Sequence, residues 1–129
     1  MRYLLDADAC IALLAGQDNL VRRASECDED DFVISAIAFA EVARGSGNGT
    51  APPVSMLDVL RQRIPVMPFD ELAAQHYAML PFRRGSYDRL IAAHALSLGL
   101  TLVTGNERDF ADMPGLKVEN WTLPPEPIA

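Results

Sequence analysis

The sequence predicts an α/β domain, a three-layer α/β/α sandwich around a central, mostly parallel sheet. Three observations carry this. Short apolar, β-rich runs alternate with helix-length amphipathic segments, the order that builds βα units. Acidic residues recur just beyond the apolar runs, as at Asp6 and at Glu107 and Asp109. The chain has 129 residues, 50% hydrophobic and 22% charged, enough for one core without staples.

In chain order, Arg2 to Leu5 reads as a strand and Ile11 to Leu14 as a helix. Phe32 to Ser35 is a second strand, feeding the Ala-rich helix Ala36 to Arg44. The segment Gly45 to Pro53 (GSGNGTAPP) reads as a loop whose prolines open the helix Val54 to Arg63. Ile64 to Phe69, with two prolines, can only be a short edge strand, and Asp70 caps the helix Glu71 to Leu80. Ser86 to Leu98 is the longest amphipathic run and ends at Gly99, a fitting left-handed terminator; Leu100 to Thr104 then reads as a buried strand. Leu116 to Glu119 is the last strand. The domain is expected over residues 1–123, with a Pro-rich tail over 124–129.

No apolar stretch approaches the roughly 18 residues of a membrane span, and Asp6 and Asp8 interrupt any leader-like run, so an unexported, cytoplasmic protein is expected. Cys10 and Cys27 lack the spacing of a zinc or redox pair and read as free thiols. The net charge of −7 argues against loose electrostatic binding to nucleic acid, but its distribution alters that reading. Without the run Glu26, Asp28, Glu29, Asp30 and Asp31 the chain carries −2, and setting aside Asp6, Glu41, Asp88 and Asp109 as well leaves +2. Ten of the eleven basic residues are Arg, whose planar fork suits phosphate, though a preference for Arg codons explains them equally.

Ligands of open parallel sheets bind at the carboxyl ends of the strands. Asp6 and Asp8 follow the first strand, and Asn106, Glu107 and Asp109 follow Leu100 to Thr104. Glu41 is out of place in its Ala-rich helix and needs a partner, for which Arg44 at i+3 is the plain structural choice. Asp88 opens a helix, where the dipole alone would favour it. Gathered together, such acids repel one another and raise at least one carboxyl pKa unless a cation joins them. An oxygen donor set without a Cys or His cluster selects a hard ion, Mg²⁺ or Mn²⁺, which can orient a phosphodiester.

The segments LLDADACIALLAG (Leu4 to Gly16), VISAIAFAEVARG (Val33 to Gly45), YDRLIAAHALSLGLTLVTGNERDF (Tyr87 to Phe110) and PGLKVENW (Pro114 to Trp121) closely resemble, in order and through nearly the whole chain, the PIN-domain ribonucleases of the VapC toxin type. That resemblance implies a PIN-like fold and a metal-dependent endoribonuclease acting as the toxin of a toxin–antitoxin pair. Asp6, Glu41 and Asp88 match the acids that hold Mg²⁺ or Mn²⁺ and cleave RNA. Asn106 falls where many members carry a fourth Asp, with Asp109 three residues later as a substitute. Structured RNA, tRNA among it, is the implied substrate. A cognate antitoxin and a second copy of the chain are the implied partners, for which the helical stretches Val54 to Leu60 and Leu72 to Leu80 offer apolar surface.

Three departures from the family pattern stand out. Ala7 and Asp8 follow Asp6 where the family commonly has Thr, so that Asp8 is either a ligand or a helix cap. Asn106 replaces an acid, which favours a one-metal site. The segment PFRRGSY is short, and its Arg83 and Arg84 read as a solvated loop before they read as RNA contacts. His94 reads as a packed histidine, His76 as an exposed one, Trp121 as closing the core, and Met56, Met67 and Met79 as core filler.

Two other functions compete. A haloacid dehalogenase-type phosphatase shares the Asp-x-Asp after a strand, but its chemistry needs a lysine ahead of the last acidic motif, and the only lysine, Lys117, comes after it. A non-catalytic PIN-fold module that only binds RNA or protein has no use for the three central acids.

Overall fold

The computed structural model describes residues 1–49, 52–82 and 86–124. Arg83 and Arg84, read as a solvated loop, and nearly all of the 124–129 tail lie outside the described residues. Among the described residues five parallel strands form one sheet: β1 (Tyr3–Leu5), β2 (Phe32–Ser35), β3 (Val66–Met67), β4 (Thr101–Val103) and β5 (Val118–Glu119), in the spatial order β3-β2-β1-β4-β5. Every pairing is parallel, so the sheet is fully rather than mostly parallel. Among the described residues six α-helices link β1 through β4: α1 (Ala7–Leu14), α2 (Asp18–Ser25), α3 (Ala36–Gly47), α4 (Val54–Arg63), α5 (Glu71–Met79) and α6 (Tyr87–Leu98). No described helix is long and apolar enough to cross a membrane.

Strands β1 and β2 are buried along their whole length. Such strands need cover on both faces, which right-handed crossovers supply by placing α1–α4 on one side and α5–α6 on the other. Leu4, Ile34 and Leu102 are fully buried at the sheet centre. On one face Trp121 closes the core against Tyr3 and Phe32, with ring centroids 4.8 and 5.8 Å away. Its indole N–H donates to Glu119 (2.9 Å), which also pairs with Arg23 (3.0 Å).

Several expectations are corrected. Helix α2 was not anticipated: DNLVRRAS buries only Leu20, and its cap is Gln17, an uncommon capping residue whose side chain accepts the Leu20 amide (2.8 Å). Helix α1 starts at Ala7, capped by Asp6, rather than at Ile11. Helix α3 runs through Gly45 to Gly47, because Ser46, on its buried side, donates its hydroxyl to the Pro52 carbonyl and holds the expected loop residues in the helix. The outer strand β5 is two residues long. Met79 is 85% exposed rather than core, since α5 ends there with its side chain outside the α5–α6 contact. His76 is half-buried, with Nδ1 3.0 Å from the Leu72 carbonyl of its own helix. Gly99 ends α6 at φ +67° as expected, its amide on the Leu96 carbonyl (3.2 Å).

Trp121 is 1% exposed and joins β1, β2, β5 and α2. Trp121→Ala should cost about 3–5 kcal/mol in urea unfolding, while Trp121→Phe, which keeps an aromatic ring, should cost clearly less. Equal losses would show that the indole hydrogen bond, not ring packing, carries the stability.

Candidate active site

The register of the three central strands sets the site. Leu5 is level with both Ile34 and Val103, so the next residues, Asp6, Ser35 and Thr104, emerge in one row at the carboxyl edge. All three are buried polar residues. The chain leaves β1 toward β2 on one side and β4 toward β5 on the other, which makes the gap between β1 and β4 the topological switch point where such sheets bind ligands. Asp6 stands at that gap.

Asp6 is 4% exposed. Its Oδ1 accepts the Ala9 amide (2.8 Å), capping α1, and the Thr104 hydroxyl donates to the same carboxylate. Burial pushes its pKa up from 3.8 to about 7; the two hydrogen bonds oppose the rise, and Asp8 and Asp88 add to it. Thr104 escaped the sequence reading. Its signal was a hydroxyl at the end of an otherwise apolar strand, directly before Gly105 and Asn106.

Glu41 projects from α3, whose start is fixed by the Ser35 cap, and its Oε1 is buried with no hydrogen-bond partner, Arg44 included. The Glu41–Arg44 pair that the sequence offers as a plain structural alternative is therefore not what stabilises it. Its pKa is raised, first by burial and then by Asp88 and Asp8. Asp88 lies in the first turn of α6, behind the Ser86 cap. Asp8 is exposed in the first turn of α1 and accepts the Asn106 side-chain amide (3.3 Å), while the Asn106 backbone amide rests on Thr104 Oγ1 (3.0 Å). The structure thus brings Asp6, Asp8, Glu41, Asp88 and Asn106 to one edge. Asp109 is exposed and is not among the charges that raise Asp6 or Glu41. Among the described residues no three Asp, Glu, His or Cys side chains are gathered tightly enough to hold a metal as they stand. The donor set nevertheless suits a hard cation: it is all oxygen, and one buried carboxylate oxygen has no other partner.

Mutual repulsion, expected from the sequence to raise a carboxyl pKa, is here the smaller cause. The rise occurs, and burial is its largest cause. His94, read as a packed histidine, is 1% exposed and hydrogen-bonded to Ser35.

Comparison with known proteins matches residues 3–116 to the PIN domain family. The chain is 29% identical over 130 residues to a Salmonella typhimurium protein named tRNA(fMet)-specific endonuclease VapC, covering 94% of this chain and 98% of that one. It is 28% identical to Ribonuclease VapC1 of Haemophilus influenzae over 95% and 99% of the two chains. Among solved structures, it superposes on a chain of DNA-bound VapBC from Salmonella typhimurium with a TM-score of 0.82 at 29% identity, covering 94% and 98%. A chain of promoter-bound VapBC2 from Rickettsia felis gives 0.79 at 25% identity, covering 94% and 99%.

The buried acid makes stability pH-dependent. A carboxyl whose folded pKa is raised holds its proton more tightly in the native state, so its stabilising effect is present below the unfolded value and is lost as pH rises from about 4 through about 7. The full span corresponds to roughly 4 kcal/mol, at order-of-magnitude precision. In chelator, Asp6→Asn should melt above the parent at pH 7.5 and close to it at pH 4.5. A constant difference across that range would show that Asp6 ionises in the folded protein as it does in water.

Proposed function

Since the chain belongs to the PIN-domain family, as a VapC-type ribonuclease, we propose that it hydrolyses RNA phosphodiester bonds with a divalent cation, Mg²⁺ or Mn²⁺, held by Asp6, Glu41 and Asp88. The observation that carries this reading is the buried, unpartnered Oε1 of Glu41 at the same edge as the buried Asp6. Such an arrangement costs stability unless a cation or a substrate group completes it. A cation held by these residues would neutralise charge on the scissile phosphate. Asp6, fixed by the Ala9 amide and the Thr104 hydroxyl, and Asp88, on the first turn of α6, hold position. Glu41 orients the attacking water and takes its proton, a role suited to a carboxylate whose pKa burial has raised.

Asp8 is the fourth carboxylate of this site. It is near enough to raise both Asp6 and Glu41, and Asn106 steadies it. Asn106 therefore serves by orienting Asp8, and Asp109 is dispensable. Structured RNA is the substrate class, tRNA included, as the Salmonella relative's name indicates for that protein.

The chain is the toxin of a toxin–antitoxin pair, and three of its structural neighbours are solved as VapBC structures. We place the antitoxin in the apolar groove of about 530 Å³ between α1, α2 and α4, where Leu13, Val21, Phe32, Met56 and Val59 line the walls. Glu29 and Arg63, paired at 3.4 Å, border the otherwise apolar groove, so an apolar segment fits it. The exposed Leu72, Met79 and Phe82 around α5 supply the face for a second copy of the chain.

Purified protein should cut total RNA with Mg²⁺ or Mn²⁺ and not with chelator. Asp6→Asn and Asp88→Asn should each lower cleavage by orders of magnitude with the fold retained. Asp8→Asn should lower it about tenfold, and Asp109→Asn should leave it within about threefold. Equal losses in the last two variants would return Asp109 to the site. Val59→Glu should keep full cleavage yet escape repression by the co-expressed antitoxin; a variant repressed as well as the parent would move the antitoxin elsewhere.

A further inference from the structure

Helices α3 and α6 carry Glu41 and Asp88, and one buried connection joins them away from the carboxylates. His94 of α6 is 1% exposed, and its Nδ1 lies 2.9 Å from Oγ of Ser35, which is fully buried. Ser35 is the N-cap of α3, where its Oγ accepts the Ile37 amide (3.1 Å). The imidazole also hydrogen-bonds the Pro68 backbone, on the segment between β3 and α5, and the Phe69 ring packs edge-on at 5.6 Å.

These partners fix the proton positions. A proline backbone offers only a carbonyl, so the ring donates its N–H to Pro68 and Nδ1 accepts the Ser35 hydroxyl. Ser35 Oγ keeps a lone pair for Ile37, and every polar atom of the chain Pro68–His94–Ser35–Ile37 is used. Burial lowers the imidazole pKa, against the opposing pull of Asp70 and of the Pro68 hydrogen bond, and so favours the neutral ring that this arrangement requires.

We infer that His94 is a positioning residue: by accepting the Ser35 hydroxyl it locks the first turn of α3 against α6 and so sets where Glu41 stands relative to Asp88. This rests on the reading of those two acids as cation-holding groups. His94 is buried too deeply to meet substrate, and Phe69, Pro68 and Ser35 surround it, so it is no general base. A packing residue would tolerate an apolar replacement of similar size. The hydrogen bond does not, because Leu leaves the Ser35 hydroxyl and the Pro68 carbonyl without their partner.

The test compares the parent with His94→Leu, His94→Gln and Ser35→Ala. Each is titrated with Mn²⁺ by calorimetry after chelator treatment, then assayed for RNA cleavage at saturating Mn²⁺. His94→Leu should weaken Mn²⁺ binding about tenfold and lower kcat by a similar factor with KM for RNA unchanged. His94→Gln, which keeps one donor and one acceptor, should recover most of both. Ser35→Ala should act in the same direction and serves if His94→Leu does not fold. The double variant Ser35→Ala/His94→Leu should bind Mn²⁺ no more weakly than the worse single variant, since both remove one shared interaction. Parent-like Mn²⁺ affinity and kcat in His94→Leu and Ser35→Ala, whatever their melting temperatures, would overturn the inference and leave the proposed function standing. A parent that neither binds Mn²⁺ nor cuts RNA would overturn both.

Discussion

A carboxylate buried at the end of the central strand governs this molecule. Asp6 is the residue after β1, and the in-register alignment of β1 with β2 and β4 forces it out beside Ser35 and Thr104 under both helical layers. A one-residue slip of the register would send these side chains to the opposite face and place apolar residues at the edge. The apolar runs Tyr3–Leu5, Phe32–Ser35 and Thr101–Val103 therefore do more than form a core. They fix which three polar groups meet at the switch point.

Each member of that buried row holds another part of the site. Thr104 supports Asp6 through its hydroxyl and Asn106 through its oxygen, and Asn106 in turn holds Asp8. Ser35 caps the helix bearing Glu41 and meets His94 on the helix bearing Asp88. Acids that would repel one another in solution are thus carried by rigid strand ends and helix starts, whose packing sustains the burial that raises Asp6 and Glu41. Stability is given up locally at this edge, while the aromatic cluster of Tyr3, Phe32 and Trp121 secures the same sheet.

The two departures of the sequence from its family's acidic pattern meet in space. Asp8 adds a carboxylate in the first motif, Asn106 lacks one in the last, and the two side chains hydrogen-bond at 3.3 Å. A pair 98 residues apart has no visible relation along the chain. It follows from the adjacency of β1 and β4 in the sheet.

By itself the sequence determined the α/β class, the positions of the strands along the chain and most of the helices, and it singled out Asp6, Glu41 and Asp88 as candidates. These rest on local signals: apolar periodicity, a Gly after α6, prolines before α4 and acids just past apolar runs. It missed α2, a polar helix that buries a single leucine behind an uncommon Gln17 cap, and it stopped α3 at Arg44, because the Ser46 bond to Pro52 that continues the helix is a contact between segments. Only the tertiary structure decided that Glu41 is left without Arg44, that Thr104 supports Asp6, that Asn106 turns to Asp8 and that His94 joins the two acid-bearing helices. Side-chain type and spacing show which groups can ionise or hydrogen-bond. Which of them are stripped of water and which partner each one finds depends on strand order and helix packing, which bring together residues far apart in the chain.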